Sequence, residues 1–157
     1  MINKKELCQF LVKAKKVTYA SGNTSIETKE KDKSTTLIFE EGGYKYHDNY
    51  FGGEPYGGRE VVFFKNDPVY IMMYYGVVDE KITDFDKVYK FLQKALSLIP
   101  KDSPFRGPRE LKEDDLVYKN SYKGEVDDFE GTESIRTSNG QLLYKAKYFG
   151  GFVDQRR

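Results

Sequence analysis

The segment YHDNYFGGEPYGGREVV at residues 46–62 recurs in altered form as YKNSYKGEVDDFEGTESI at residues 118–135. Both segments contain Tyr, three residues, Tyr, a glycine-containing turn, an aromatic residue and then Gly-x-Glu, with a β-branched residue close behind. The recurrence places a glutamate at the same point of each copy, Glu60 in the first and Glu133 in the second. A pattern of this length indicates that the two parts of the chain share one architecture.

Further matches extend the repeat beyond these two segments. FLVKA at residues 10–14 matches FLQKA at residues 91–95, and YIMMYYG at residues 70–76 matches YKAKYFG at residues 144–150. The matched pieces keep the same order and a near-constant separation, which indicates an internal duplication with a unit of about 75 residues.

A long unit that occurs only twice predicts one domain rather than a solenoid. We therefore expect a single α+β domain over residues 1–157, with repeat one at about 3–78 and repeat two at about 84–153. Each half is predicted to be a helix on a curved antiparallel sheet, and the two halves are predicted to be related by pseudo-two-fold symmetry.

The predicted elements follow from the spacing of apolar residues. Apolar positions at i, i+3 and i+4 predict helices over residues 3–16, capped by Asn3, and over residues 84–99, ended by Pro100. Strands are predicted from alternation and turn residues at 35–40, 44–50, 59–65, 69–76, 116–122, 131–137 and 141–149. The polar, charge-rich segment at 21–34 is predicted to be a mobile loop.

Strand alternation places tyrosines and acids on the same inward face. Tyr148 shares its face with other tyrosines of its strand, while the lysines between them face water. The same alternation turns Asp48, Glu60 and Glu133 inward. The strand at 69–76 is apolar on both sides, and we expect it to be covered on both faces.

An inward carboxylate must be hydrogen-bonded, ion-paired or protonated, because an isolated buried charge is costly. Two interpretations of the repeated glutamates follow. In the first, each glutamate accepts hydrogen bonds from tyrosine hydroxyls or turn amides and braces its half of the sheet. In the second, the acids and tyrosines line a pocket between the halves.

Two loops add candidate binding groups. PFRGPRE at residues 104–110 presents Arg106 and Arg109, which can bind an anionic group or pair with an inward glutamate. For Arg106, pairing with an inward glutamate is the favoured interpretation. FGGEPYGG at residues 51–58 lacks the Lys-Ser/Thr of a P-loop and joins two strands, so it is predicted to be a hairpin loop and pocket rim.

Composition and isolated reactive residues narrow the function further. The charges balance to +1, with 26 basic and 25 acidic residues, which argues against a dominant nucleic-acid or membrane-surface mode. The single cysteine, Cys8, and an N-terminal segment without a long apolar run predict a cytoplasmic protein. His47 is the one histidine and faces outward, so neither a metal nor another cofactor is expected, and no nucleophilic catalytic set is expected either.

The motifs at residues 10–22, 46–62, 68–76 and 104–110, with FEGTESI and LLYKAKYFGGFV near the C-terminus, together resemble a family. It is a bacterial domain-of-unknown-function family whose members occur free-standing or C-terminal to XRE-type helix-turn-helix regulators. The resemblance implies no known activity. It implies a sensor or interaction module.

The leading hypothesis is a non-catalytic binding or sensor module with a tyrosine-lined cleft for a small polar or aromatic ligand, including a nucleotide-like one. The candidate site residues are Tyr19, Tyr46, Asp48, Tyr50, Glu60, Tyr74, Arg106, Arg109, Glu133 and Tyr148. One alternative is a hydrolase or transferase that uses the inward acids as general acid and base. Another is a protein-interaction adaptor with aromatic residues exposed at the rim. The identity of the ligand and the oligomeric state stay open.

Overall fold

The computed structural model describes residues 1–156, with the side chain of Ser25 left out. The helices are α1 (Lys4–Val17) and α2 (Phe85–Ser97), with two short 3-10 helices at Tyr19–Ser21 and Thr24–Ile26. The strands are β1 (Thr28–Lys29), β2 (Thr35–Glu41), β3 (Tyr44–Phe51), β4 (Tyr56–Phe64), β5 (Asp67–Val78), β6 (Glu110–Glu113), β7 (Leu116–Glu125), β8 (Asp128–Thr137) and β9 (Leu142–Phe152).

Both predicted helices are confirmed, and both begin at a capping side chain. Asn3 Oδ1 accepts hydrogen bonds from the backbone amides of Lys5 and Glu6 at the start of α1. Asp84 Oδ1 accepts a hydrogen bond from the amide of Lys87 at the start of α2. Each bond satisfies an amide that the first turn of a helix leaves unpaired. Neither helix in the described part of the chain is long and apolar enough to cross a membrane.

All seven predicted strands are present within one antiparallel sheet, which confirms the α+β class. The strand order is β1-β2-β3-β4-β5-β9-β8-β7-β6. Two meanders of consecutive strands therefore meet along the β5–β9 pair. At the centre of that pair Tyr74 lies directly opposite Tyr148.

Two short strands were not predicted. β6 (Glu110–Glu113) and β1 (Thr28–Lys29) are the outermost strands, and each pairs with only one neighbour. Neither contains a buried residue, so neither carries the apolar alternation from which strands are predicted. β1 and a 3-10 helix lie within the segment 21–34 that the sequence predicts as a loop.

The tyrosine face of the sheet is covered by both helices, and the opposite face is open. Leu7, Leu11 and Leu92 of the helices are fully buried in one core with inward tyrosines of the sheet. On the opposite face Met73 and Tyr75 of β5 are 45% and 57% exposed. The prediction that this strand is covered on both faces is therefore wrong. β5 is central within the sheet, but both helices pack on the same side of it.

Candidate functional site

A cavity of about 360 Å³ lies where the covered face of β3–β5 meets the C-terminal end of α1, one side of α2 and the loop at residues 104–108. Its size falls within the range of small-molecule sites. The cavity is lined by seven of the predicted site residues: Tyr19, Tyr46, Asp48, Tyr50, Glu60, Tyr74 and Arg106.

Tyrosine rings form much of the cavity wall, because three strands, one 3-10 helix and α2 each contribute at least one. The six tyrosines of the wall are Tyr19, Tyr46, Tyr50, Tyr56, Tyr74 and Tyr89. The ring of Tyr56 lies 5.9 Å from that of Tyr74 and 6.1 Å from that of Tyr89, in tilted and edge-on arrangements. Burial raises the pKa of Tyr46 and of Tyr74 well above the ordinary value, so both remain neutral hydrogen-bond donors.

Asp48, on β3, is a buried carboxylate with one oxygen held by the protein. Tyr74 Oη donates a hydrogen bond of 2.5 Å to Asp48 Oδ1. Oδ2 has no hydrogen-bond partner among the described residues, and none of their lysines, arginines or histidines forms an ion pair with this carboxylate. Burial raises the pKa of Asp48 to about 7 and the charge of Glu60 adds to the shift, while the Tyr74 hydrogen bond, Lys15 and Arg106 oppose it.

Glu60, on β4, lies opposite Asp48 in the strand register and carries its own counter-ion. Lys15 Nζ lies 2.8 Å from Glu60 Oε2 and also donates a 2.7 Å hydrogen bond to the carbonyl oxygen of Phe105. Burial lowers the pKa of Lys15, and the charge of Glu60 partly restores it. Burial raises the pKa of Tyr46, and the nearby charge of Glu60 adds to that shift. The two adjacent acids therefore differ, because only Glu60 is ion-paired.

Glu133, the matched glutamate on β8, is fully engaged and lies outside the cavity lining. Arg106 donates to Glu133 Oε1 from Nε at 3.0 Å and from Nη2 at 2.5 Å. Tyr144 Oη donates to the same oxygen at 2.9 Å, and Tyr118 Oη donates to Oε2 at 2.6 Å. Although burial opposes it, the charge of Glu133 raises the pKa of Arg106. Here the bracing interpretation of the glutamate fits, and so does the pairing favoured for Arg106.

The loop at residues 104–108 is fixed in place, which holds Arg106 in position. Asn120 Nδ2 donates to the carbonyl oxygen of Gly107 at 2.9 Å, and the amide of Gly107 donates to Tyr118 Oη at 3.0 Å. A Cβ at position 107 would lie 2.8 Å from Tyr118 Oη and 2.9 Å from the carbonyl oxygen of Ala95. Glycine is required there because the loop passes so close to its neighbours. Arg106 Nη1 has no hydrogen-bond partner in the described part of the chain.

Two other predicted site residues also lie outside the cavity lining. Tyr148 Oη donates a 2.6 Å hydrogen bond to Asn120 Oδ1, within the second meander. Arg109 is exposed, and its guanidinium stacks 3.7 Å from the centre of the Tyr122 ring. The proposed role of Arg109 as a receiver of an anionic ligand group in the cleft therefore has no geometric support.

Sequence reasoning missed four polar lining residues: Lys15, Lys29, Tyr89 and Gln93. For Lys15 a signal was present, since it follows Leu7 and Leu11 at a spacing of four on the buried face of α1. A lysine at such a position calls for a buried acid. Tyr89 reaches the cavity rim, where its hydroxyl donates to Glu54 Oε2 while Glu54 Oε1 accepts a 2.7 Å hydrogen bond from the amide of Val78. No comparable signal marks Lys29.

The described residues contain no group of three or more His, Cys, Asp or Glu side chains placed to hold a metal ion. No curated protein matches the chain, and no solved structure does. A family described as a domain of unknown function, DUF5680, matches residues 48–153. That span begins at Asp48 and includes Glu60, Arg106 and Glu133, whereas α1 with Lys15 precedes it. Because the match covers more than half of the sequence, the chain belongs to the DUF5680 family.

Proposed function

We propose that this protein is a non-catalytic small-molecule-binding module and that its ligand occupies the tyrosine-walled cavity. The observation that carries the proposal is the unengaged Oδ2 of Asp48 on the wall of a 360 Å³ cavity. A carboxylate oxygen that the protein leaves without a partner on a cavity wall is a polar group of the kind that orients a bound small molecule. Arg106 Nη1 supplies an unused donor on the same wall.

We further propose that the chain is an internal duplication in which only one copy has become a binding site. The Tyr74–Tyr148 pair would lie on the pseudo-two-fold axis. Support comes from the matched hydrogen bonds that these tyrosines make, to Asp48 in one meander and to Asn120 in the other. Asp48 and Asn120 also occupy matched positions opposite the repeated glutamates.

The sequence resemblance supports a wider proposal about the setting of the module. We infer that the protein works in the bacterial cytoplasm as a sensor, and that relatives carrying an XRE-type helix-turn-helix head use the same cavity to control DNA binding. A single cysteine, Cys8, which is buried and unpaired, is consistent with a reducing compartment.

Native mass spectrometry of gently purified protein tests the proposal. We expect a reproducible small-molecule adduct on the wild-type protein that disappears in Leu96→Trp, because Leu96 lines the cavity and a larger ring would fill it. Leu98→Trp is the matched control, since Leu98 is 50% exposed near the end of the same helix. A wild-type protein that carries no adduct, and that no compound of a diverse library stabilises against heat, would overturn the proposal.

A specific observation also favours the acid–base enzyme as a second candidate. Asp48 and Glu60 are adjacent carboxyls on one cavity wall, and burial raises the pKa of Asp48 to about 7, near the optimum for general acid–base catalysis. Incubating the identified ligand with the protein separates the two functions. Recovery of an unchanged ligand supports binding alone, whereas time-dependent conversion that is lost in Asp48→Asn supports the enzyme.

The open sheet face keeps the adaptor hypothesis as a third candidate. Met73 of β5 lies opposite Phe149 of β9, and Tyr75 is next to them on the same face, with all three exposed. Light scattering across a concentration series, with Tyr75→Ser as a comparison, would reveal self-association through this face. A monomer at all concentrations would remove self-association from consideration.

A further inference from the structure

We propose that the ligand is an organic cation, a protonated amine or amidinium carried on a planar body, whose N–H group binds Asp48. The inference rests on the proposed binding function and narrows it to one charge class. Such a ligand has the opposite charge to a nucleotide-like molecule held by arginines.

The positive charges around the cavity are already paired with acidic side chains. Glu60 is paired with Lys15 at 2.8 Å, and Glu133 is paired with Arg106 at 2.5 Å. Lys29, at the mouth, lies 3.3 Å from Glu27. Each of these cations therefore already has an acid partner, and an anionic ligand would meet Asp48 and Glu60 without a free positive charge to offset them.

Asp48 is the carboxylate on the cavity wall that has no cationic partner among the described residues. The side chain is nearly fully buried. A buried carboxylate is stabilised by an opposite charge within hydrogen-bond reach. A ligand N–H cation at Oδ2 would provide that charge while Tyr74 continues to hold Oδ1.

The matched position in the other meander shows what a purely structural residue looks like there. Asn120 lies opposite Glu133, as Asp48 lies opposite Glu60. Its Oδ1 accepts from Tyr148, its Nδ2 donates to the carbonyl oxygen of Gly107, and it does not line the cavity. A neutral amide is sufficient to complete the brace, so the negative charge at position 48 is not needed to hold the tyrosine.

The cavity walls suit both the cationic group of the ligand and its planar body. The aromatic side chains of Tyr19, Tyr46, Tyr50 and Tyr56 line the cavity. Aromatic faces attract organic cations, and the attraction is larger when the cation is removed from water. Leu96, Ile99 and Phe105 add an apolar surface for the rest of the ligand. Arg106 Nη1 is then available to donate to a carbonyl or hydroxyl oxygen of the ligand.

Three probes of nearly identical shape test the charge class directly: benzamidine as a cation, benzamide as a neutral molecule and benzoate as an anion. Binding to the full chain is measured at pH 8 by titration calorimetry and by ligand-observed NMR. We expect benzamidine to bind the wild-type protein at least about tenfold more tightly than benzamide, because a charge-assisted hydrogen bond is about twice as strong as a neutral one, and benzoate not to bind.

Two variants locate the preference at Asp48. In Asp48→Asn the preference for benzamidine over benzamide should disappear, and the variant should fold well because asparagine is already accommodated at position 120. In Leu96→Trp all probe binding should disappear, which places the site in the cavity. Phenyltrimethylammonium, a cation without an N–H group, should bind more weakly than benzamidine.

The outcomes separate this inference from the proposed function. If benzamide or benzoate binds the wild-type protein as well as benzamidine, or if Asp48→Asn keeps the preference, the ligand is not a cation bound at Asp48, while the binding module stands. If benzamidine fails to bind at any soluble concentration, this inference is overturned. If native mass spectrometry also finds no adduct and no library compound stabilises the protein, the binding module is overturned with it.

Discussion

Tyr74 and Tyr148 lie opposite each other in the central strand pair, and their hydroxyls reach different partners: Tyr74 bonds to Asp48 and Tyr148 bonds to Asn120. The geometry is matched at 2.5 and 2.6 Å, but the acceptor is a carboxylate in one case and an amide in the other. Only the carboxylate reaches the cavity.

Asp48→Asn should stabilise the protein, and the gain should grow as the pH rises. Burial raises the folded-state pKa of Asp48 to about 7, above the unfolded value, so folding favours the protonated form. The contribution of Asp48 to stability is complete below the unfolded pKa near 4 and is lost as the pH rises through about 7. At pH 8 the variant should therefore gain roughly 2 to 4 kcal/mol in unfolding free energy, and at pH 4 little.

Urea unfolding of the wild-type protein and of Asp48→Asn between pH 4 and pH 9 measures this difference in unfolding free energy. The groups that face Asp48 are Glu60, Tyr74, Lys15 and Arg106. A gain that does not depend on pH would show that these neighbours keep Asp48 ionised in the folded state. A loss of stability at pH 8 would show that the carboxylate is itself part of the brace.

The repeated glutamates should respond differently to the same substitution. Glu133→Gln leaves Arg106 buried without its counter-ion, and an arginine cannot lose its proton, so we expect a loss of about 3 to 5 kcal/mol. Glu60→Gln leaves Lys15, whose pKa burial already lowers, and Lys15 can become neutral. The second substitution should therefore cost about half as much. Denaturant unfolding at pH 8 provides both values, and a larger loss for Glu60→Gln would contradict this account.

Local patterns in the sequence were sufficient to predict the helices, the main strands and the inward direction of the acidic side chains. The i, i+3, i+4 spacing in α1 and the alternation in β3 are properties of short segments, and both predictions are confirmed by the buried positions of Leu7, Leu11 and Asp48. The two unpredicted strands lie at the sheet edges, where little burial leaves little pattern.

The difference between the two glutamates could not be predicted from the sequence. Glu133 is engaged by Arg106, which lies on a loop, and Glu60 is engaged by Lys15, which lies on α1. Both contacts join residues that are far apart in the chain, so no local pattern reports them. The exposure of the outer face of β5 could not be predicted either, because the apolar sequence of a strand does not reveal which layers cover it.

Gly58→Ala should destabilise the protein because the strand at this point has no room for a methyl group. A Cβ there would lie 2.5 Å from the carbonyl oxygen of Asn49, 2.6 Å from Cβ of Tyr50 and 2.7 Å from Tyr74 Oη. We expect a loss of about 2 kcal/mol or more, with weaker ligand binding as Tyr74 shifts. Gly53→Ala is the control, since nothing lies within 4 Å of a Cβ at that position. Equal thermal stability of the two variants would show that the backbone of β4 yields at this position.

Lys15→Met and Glu60→Gln should be strongly non-additive when combined. Lys15→Met alone leaves Glu60 buried without a cation, which should cost about 3 to 5 kcal/mol at pH 8. The double variant removes both charges, and methionine has about the volume of the lysine stem, so its loss should be smaller than that of Lys15→Met alone. A double-mutant cycle measured by urea unfolding gives the coupling energy directly. Additive losses would mean that Lys15 acts mainly through its hydrogen bond to the carbonyl oxygen of Phe105, which holds the loop of Arg106 against α1.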